Sequence, residues 1–156
     1  MNAEQLQTFV LGLPDVVETM QWGANLVFWV GDKAVGGKMF ALVSLEDDFL
    51  GTSREAVISF AAGPERCQEL LEIEGVIPAP YFARIHWVAV RSWDVFRRAE
   101  WEAELTAARN LTEAKLPKKV RETLALPKAE LKRVVAARRK VLAEKAAKKA
   151  AKKAKG

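Results

Sequence analysis

The chain predicts an α+β fold: an antiparallel-rich, five-stranded sheet with helices in the order α-β-β-β-α-β-β-α, followed by a basic helical extension. Three observations carry this. Gly36-Gly37-Lys38 leads into Met39–Leu45, an apolar run of strand length with apolar residues at both alternations, as in a strand covered on both sides. Other short apolar runs lie before and after it, punctuated by glycine and proline. From Arg97 onward, only helical spacing remains.

Taken in order, Asn2 is placed to cap a first helix, with Gln5 three residues later and Leu6, Phe9, Val10 and Leu13 on one face. Gly12 and Pro14 end it. A loop through Asp15, Glu18 and Trp22-Gly23 leads to a strand at about 26–30, which forms a hairpin with the Gly37–Leu45 strand. A third strand is expected at 56–60. Gly63-Pro64-Glu65 then starts a helix carrying Cys67, Leu70 and Leu71 inward. Val76–Pro80 can be only an edge strand or an extended segment, because proline cannot donate in a ladder. Residues 85–90 form the last strand, and 97–116 a long helix with Trp101, Leu105, Ala108 and Leu111 along one face. A short helix ends at Pro127. A further one from Lys128 has a stripe of Leu131, Val134, Val135, Val141 and Leu142. Trp22, Trp29, Trp87 and Trp101 read as core, with Trp93 less certain.

Charge divides the chain. Residues 1–114 hold 9 Lys and Arg against 17 Asp and Glu, a balance of −8; residues 115–156 hold 16 against 3, a balance of +13, and the two sum to the net +5. An acidic body with a strongly basic end points to a polyanion as partner. No apolar run approaches the ~20 residues of a membrane-spanning helix, and the N-terminus lacks a charged-then-apolar signal pattern. The lone Cys67 has no partner for an internal disulfide, so the cytoplasm is the expected location.

The pieces Leu13-Pro14-Asp15-Val16 with Glu18, Trp22-Gly23, Gly37–Leu42, Pro64-Glu65, Val76-Ile77-Pro78, Arg84, His86-Trp87 and Lys115–Lys119 occur in an order that resembles the MmcQ/YjbR family over roughly residues 1–119. The resemblance implies a double-wing fold related to the frataxin-like sheet. It also implies a DNA-binding role that rests on likeness to a phage transcription factor domain. The chain departs from the family pattern at Ala61-Ala62-Gly63, where Lys-Cys-Asp is common, and at Arg84-Ile85, where two basic residues are usual. The division that follows is a double-wing domain (1–119), a basic helical extension (120–142) and a Lys/Ala-rich, disordered tail (143–156).

The basic end carries the strongest functional pattern. Lys145, Lys148, Lys149, Lys152 and Lys153 recur at helical offsets opposite an alanine face, and Arg133, Arg138, Arg139 and Lys140 precede them. Like charges at this spacing oppose a free helix, and phosphates relieve the repulsion while releasing counterions. The alanine face is too small to anchor in a bilayer. In the body, Lys38, Arg84, His86 and Arg91 are candidates for a basic patch at the sheet's end, with Lys118 and Lys119 closing the domain. The ordinary account of the body residues is as strand-end charges. Glu46-Asp47-Asp48 invites a metal reading through the frataxin-like relation, yet no ligand spacing supports one. His86 is the sole histidine, and no nucleophile paired with a base is recognisable. The expectation is therefore a non-enzymatic DNA-binding protein without a cofactor. The alternative is a protein-interaction module that uses the acidic body, with the tail only solubilising.

Overall fold

The computed structural model describes residues 1–45 and 55–155. The elements are α1 (Ala3–Leu11), β1 (Val16–Gln21), β2 (Asn25–Val30), β3 (Lys38–Ser44), β4 (Ile58–Ala61), α2 (Pro64–Leu71), β5 (Val76–Pro78), β6 (Trp87–Val90), α3 (Arg98–Ala114), α4 (Lys118–Leu124) and α5 (Lys128–Ala154). Short 3-10 turns occupy Lys33–Val35 and Ala83–Ile85. The strands form one antiparallel sheet in the order β1-β2-β3-β4-β6-β5. The fold is α+β as expected, with six strands rather than five.

The extra strand is β1, which was expected to be a loop. Val16 to Gln21 pair with β2 from Val30 back to Asn25. As an edge strand β1 is only partly covered along its length, so its sequence lacks the apolar alternation that marks a half-buried strand. Smaller differences have local causes. The last strand begins at Trp87 because Ala83–Ile85 turn tightly and His86 takes a left-handed conformation at φ 61°. The third strand runs from Ile58 to Ala61, two residues later at its start than expected. Leu71, expected to face inward, is exposed at the end of α2, next to the fully buried Leu70.

The core lies between one face of the sheet and α1, α2 and α3. Leu6 and Val10 of α1 and Trp101, Leu105 and Ala108 of α3 bury against Phe28, Val30, Phe40, Val43, Phe60 and Val88. The N-terminus of α1 is capped as its sequence indicates, Asn2 Oδ1 accepting from the Gln5 amide at 2.8 Å. Trp101 donates its indole N–H to the Trp93 carbonyl at 3.0 Å and packs edge-on against Phe96. Trp93 thereby joins the core margin, whereas Trp22, expected inside, is 61% exposed at the β1–β2 turn. A buried guanidinium ties α3 to the α1–β1 junction. Arg109 donates to the Pro14 carbonyl at 2.9 Å and to Asn110 at 3.0 Å, and it pairs with Glu113. The helical periodicity of α3 concealed this residue, because buried arginines are rare and need such partners.

The β2–β3 connection is the tightest place in the chain. Gly31 and Gly36 have φ of +79° and +91°, and a Cβ at Gly37 would lie 1.9 Å from the Gly31 carbonyl oxygen. Asp32 caps the 3-10 turn, its Oδ1 accepting from the Ala34 amide at 2.8 Å. A bulge follows: Phe28 faces Ala41 and Trp29 faces Met39, so Phe40 is the extra residue of β3. Onto the glycines of this turn pack the side chains of α4. A Cβ at Gly31 would meet Leu124 at 2.8 Å, and one at Gly36 would meet Val120 at 2.8 Å.

The boundary drawn at residue 119 therefore does not separate packing units, since Leu116, Val120, Leu124 and Leu131 all belong to or pack against the core. Nor does the chain change character at 143. α5 runs unbroken for 27 residues, where a disordered tail was expected. The physical reason is that a docked helix has already met its nucleation cost, and alanine then propagates it with the highest intrinsic preference.

These contacts predict a contrast between two glycines. Gly37→Ala meets backbone it cannot displace and is expected to lose at least ~4 kcal/mol of stability or to leave no folded protein. Gly23→Ala, at φ +82° with nothing within 4 Å, is expected to lose only ~1–2 kcal/mol from the left-handed backbone. Urea denaturation of the two variants checks this; equal losses would contradict the close approach.

Candidate nucleic-acid interface

The site begins with which cations are free to meet a ligand. In the body, Arg66 is held by Glu104 and Glu69, and the hydrogen bond to Glu104, followed by that to Glu69, pushes its pKa further above the usual arginine range. Arg97 pairs with Glu100, Arg98 with Glu102 and Arg109 with Glu113. Lys33, Lys38, Arg84 and Arg91 make no ion pair with a described residue and are exposed.

Lys38, Arg84, His86 and Arg91, expected as one patch, do not all come together. Lys38 begins β3, and Arg84 and His86 precede β6. Because β3, β4 and β6 alternate in direction, all three lie at the same end of the sheet, separated laterally by about two strand spacings, or ~10 Å. Arg91 follows β6 at the opposite end, five residues and about 16 Å from His86. The expected grouping of Arg91 with the others is therefore corrected: a strand lies between them. Trp87, beside His86, is buried and stacks on Phe82 with ring centroids 5.0 Å apart, so it offers no base platform.

The C-terminal helices hold most of the free charge. Lys119, Arg133, Arg138, Lys140, Lys145, Lys148, Lys149, Lys152 and Lys153 are exposed and make no ion pair with a described residue. Two expected contacts are otherwise engaged. Lys118 lies 3.9 Å from Glu122 one helical turn on, and Arg139 pairs with Asp32. The Arg139–Asp32 pair joins α5 to the capped turn after β2, across 107 residues of sequence. Val141 and Leu142, on the narrow apolar stripe of this helix, are 37% and 41% exposed.

Between α5 and the outer face of the sheet lies a groove lined by Val17, Thr19, Trp29, Asp32, Lys33, Ala34, Arg139 and Leu142. Trp29 points to this face, opposite Phe28 and Val30, and its indole N–H donates to Thr19 at 2.8 Å. The Lys33 ammonium stands 5.8 Å from the centre of the Trp29 ring. Sequence reasoning did not single out this group, since nothing in local spacing brings Leu142 to Val17. The one available signal was an Asp and a Lys in a glycine-bounded turn.

Among the described residues no three His, Cys, Asp or Glu side chains converge as a metal-binding group, and the Glu46-Asp47-Asp48 cluster lies outside the described residues. Cys67 is buried in α2, and burial pushes its thiol pKa up, as for a core residue rather than a nucleophile. No helix among the described residues is long and apolar enough to cross a membrane.

Residues 11–111 match the family model of YjbR. The chain belongs to the YjbR family. The matched span contains the whole sheet, α2 and most of α3, and it stops before α4 and α5. The chain is similar to the crystal structure of Deinococcus radiodurans protein DR2400, which has a DUF419 domain. The TM-score is 0.67 at 24% identity, over 81% of this chain and 89% of that one. At that identity the likeness establishes the fold. No curated protein matches the chain. The YjbR domain of this chain thus supplies the glycine turn on which a basic helical pair, beyond the family match, is mounted.

If Asp32 fixes α5, then Asp32→Asn, which keeps a capping oxygen but removes the charge, should loosen the helix selectively. Tryptic cleavage at Arg138 and Arg139 is expected to quicken several-fold, with global stability changed by no more than ~1 kcal/mol, the scale of a partly exposed ion pair. Unchanged cleavage would show that the pair does not hold the helix.

Proposed function

We propose that this YjbR-family protein binds DNA, largely without sequence preference, through the basic helical pair α4–α5, and that it does so without catalysis. The observation that carries the reading is the exposed row of Lys145, Lys148, Lys149, Lys152 and Lys153 on one continuous helix anchored to the body. The cations before them on α5 extend the row, and α5 as a whole is about 40 Å long at 1.5 Å per residue. A helix of this kind presents charge to phosphates and carries no hydrogen-bonding pattern for base edges, so it positions without specifying. The body contributes Lys38, Arg84 and His86 at one end of the sheet and Lys33 at the β2–β3 turn, since its other described arginines, apart from Arg91, are committed to carboxylates.

The test is a salt series on the full chain. If roughly 6–10 phosphates are contacted, affinity falls by about 10³–10⁵ between ~50 and ~200 mM salt. Replacing Lys145, Lys148, Lys149, Lys152 and Lys153 by Gln should flatten the slope of log affinity against log salt. On duplex DNA the change is about 0.9 for each phosphate that the variant no longer neutralises. An unaltered slope in that variant, or no binding by the parent chain at low salt, would remove the proposal. In the latter case the acidic body as a protein-docking surface becomes the reading to pursue.

A further inference from the structure

We infer that the groove between α5 and the outer sheet face, together with the lysines that continue its α5 wall, is a binding site for single-stranded nucleic acid in preference to duplex. This rests on the DNA-binding reading of α5 and gives it a substrate class.

The first observation is a register. α5 turns toward the body at Leu131, which packs on the core, at Arg139, which pairs with Asp32, and at Leu142, which lines the groove. Helical geometry carries that direction onward. Lys149 and Lys153 lie seven and eleven residues beyond Leu142, within about 20° of it around the axis, and Lys145 lies three beyond, within about 60°. The helix therefore changes from an apolar contact line to a cationic one without changing the side it presents. Lys149 and Lys153 are thus on the groove side of α5, with Lys145 beside them, whereas Lys152 and Lys148 lie about 80° and 120° around the axis from Leu142.

The second observation is the chemistry of the groove. Val17, Ala34, Leu142 and the margin of the Trp29 ring make an apolar wall, with Lys33 and Arg139 at the rim. Among the described residues the sole acid lining it, Asp32, is already engaged by the Ala34 amide and by Arg139. The Lys33 ammonium stands over the indole of Trp29 and makes no ion pair with a described residue. An apolar wall beside a line of free cations fits a ligand whose apolar faces and phosphates are both accessible, spaced along a flexible backbone. Single strands have that property. In a duplex the base faces are stacked inside, and only the phosphates and groove edges remain for contact. A duplex would meet the lysines alone and leave the apolar wall unused.

The experiment is fluorescence anisotropy of the full chain with a labelled oligothymidylate and with a labelled duplex, each about 20 nucleotides or base pairs long, at ~50 mM salt. The single strand is expected to bind about tenfold more tightly or better, the effect of one or two base contacts. Lys33→Gln and Leu142→Ser change exposed or half-exposed groove residues, and urea unfolding confirms that they fold. Each should weaken the single strand by about fivefold or more while leaving duplex affinity within about twofold. Equal affinity of the parent chain for the two ligands would overturn the groove site while leaving the lysine helix as a DNA contact. Parallel losses on both ligands in the variants would do the same. Binding of neither would overturn both readings.

Discussion

The close approach of two glycines sets the geometry on which the rest of the molecule depends. At the β2–β3 connection Gly37 lies so near the Gly31 carbonyl that no side chain fits, and the turn presents a backbone surface without Cβ atoms. Val120 and Leu124 of α4 occupy the space that side chains at Gly36 and Gly31 would fill. The glycines thus act twice, closing a tight turn and providing the seat for a helix about a hundred residues later. Only glycine meets both demands at the two positions of positive φ, where any other L residue would also be strained.

From that seat the arrangement of charge follows. α4 fixes the start of α5, Asp32 at the same turn captures Arg139, and α5 leaves the body with its cations exposed. The two halves of the chain differ in sign, yet they are joined by few ion pairs. Most described arginines of the body pair within the body, and most cations of α5 pair with nothing described. An acidic body that neutralised the helix would compete with phosphate. Here a single described contact, Arg139–Asp32, links α5 to an acid of the body, and it places the helix while leaving the row beyond it free.

The described body offers little chemistry by comparison. Its cysteine is buried, its histidine stands alone at a strained turn, and its buried arginine is fully occupied in holding α3 to the α1–β1 junction. The family match ends within α3, and the structural neighbour, at 24% identity, speaks for the fold. The functional reading therefore rests on the part of the chain that extends past the family match.

Much of the fold was legible in the sequence because it rests on local periodicity. The caps and apolar faces of α1 and α3, the β2–β3 hairpin and the ordered motifs of the family all follow from residues a few positions apart. β1 was not legible, because as an edge strand it is only partly covered along its length and lacks the alternation of a half-buried strand, so that its pairing with β2 alone makes it a strand. Arg109 was hidden for a similar reason: besides the local Asn110 and Glu113, the partners that bury it lie at Pro14 and Asp15, far along the chain. The lysine row of the candidate site could be read from spacing, but its orientation could not. By itself the sequence determined that charge is segregated to the C-terminal end and that glycines bound the hairpin. Only the tertiary structure decided that Leu124 and Val120 sit on those glycines, that Asp32 holds Arg139, and that Lys149 and Lys153 follow the side of α5 facing the groove. Each of these is a contact between residues brought together by packing, and no local preference encodes it.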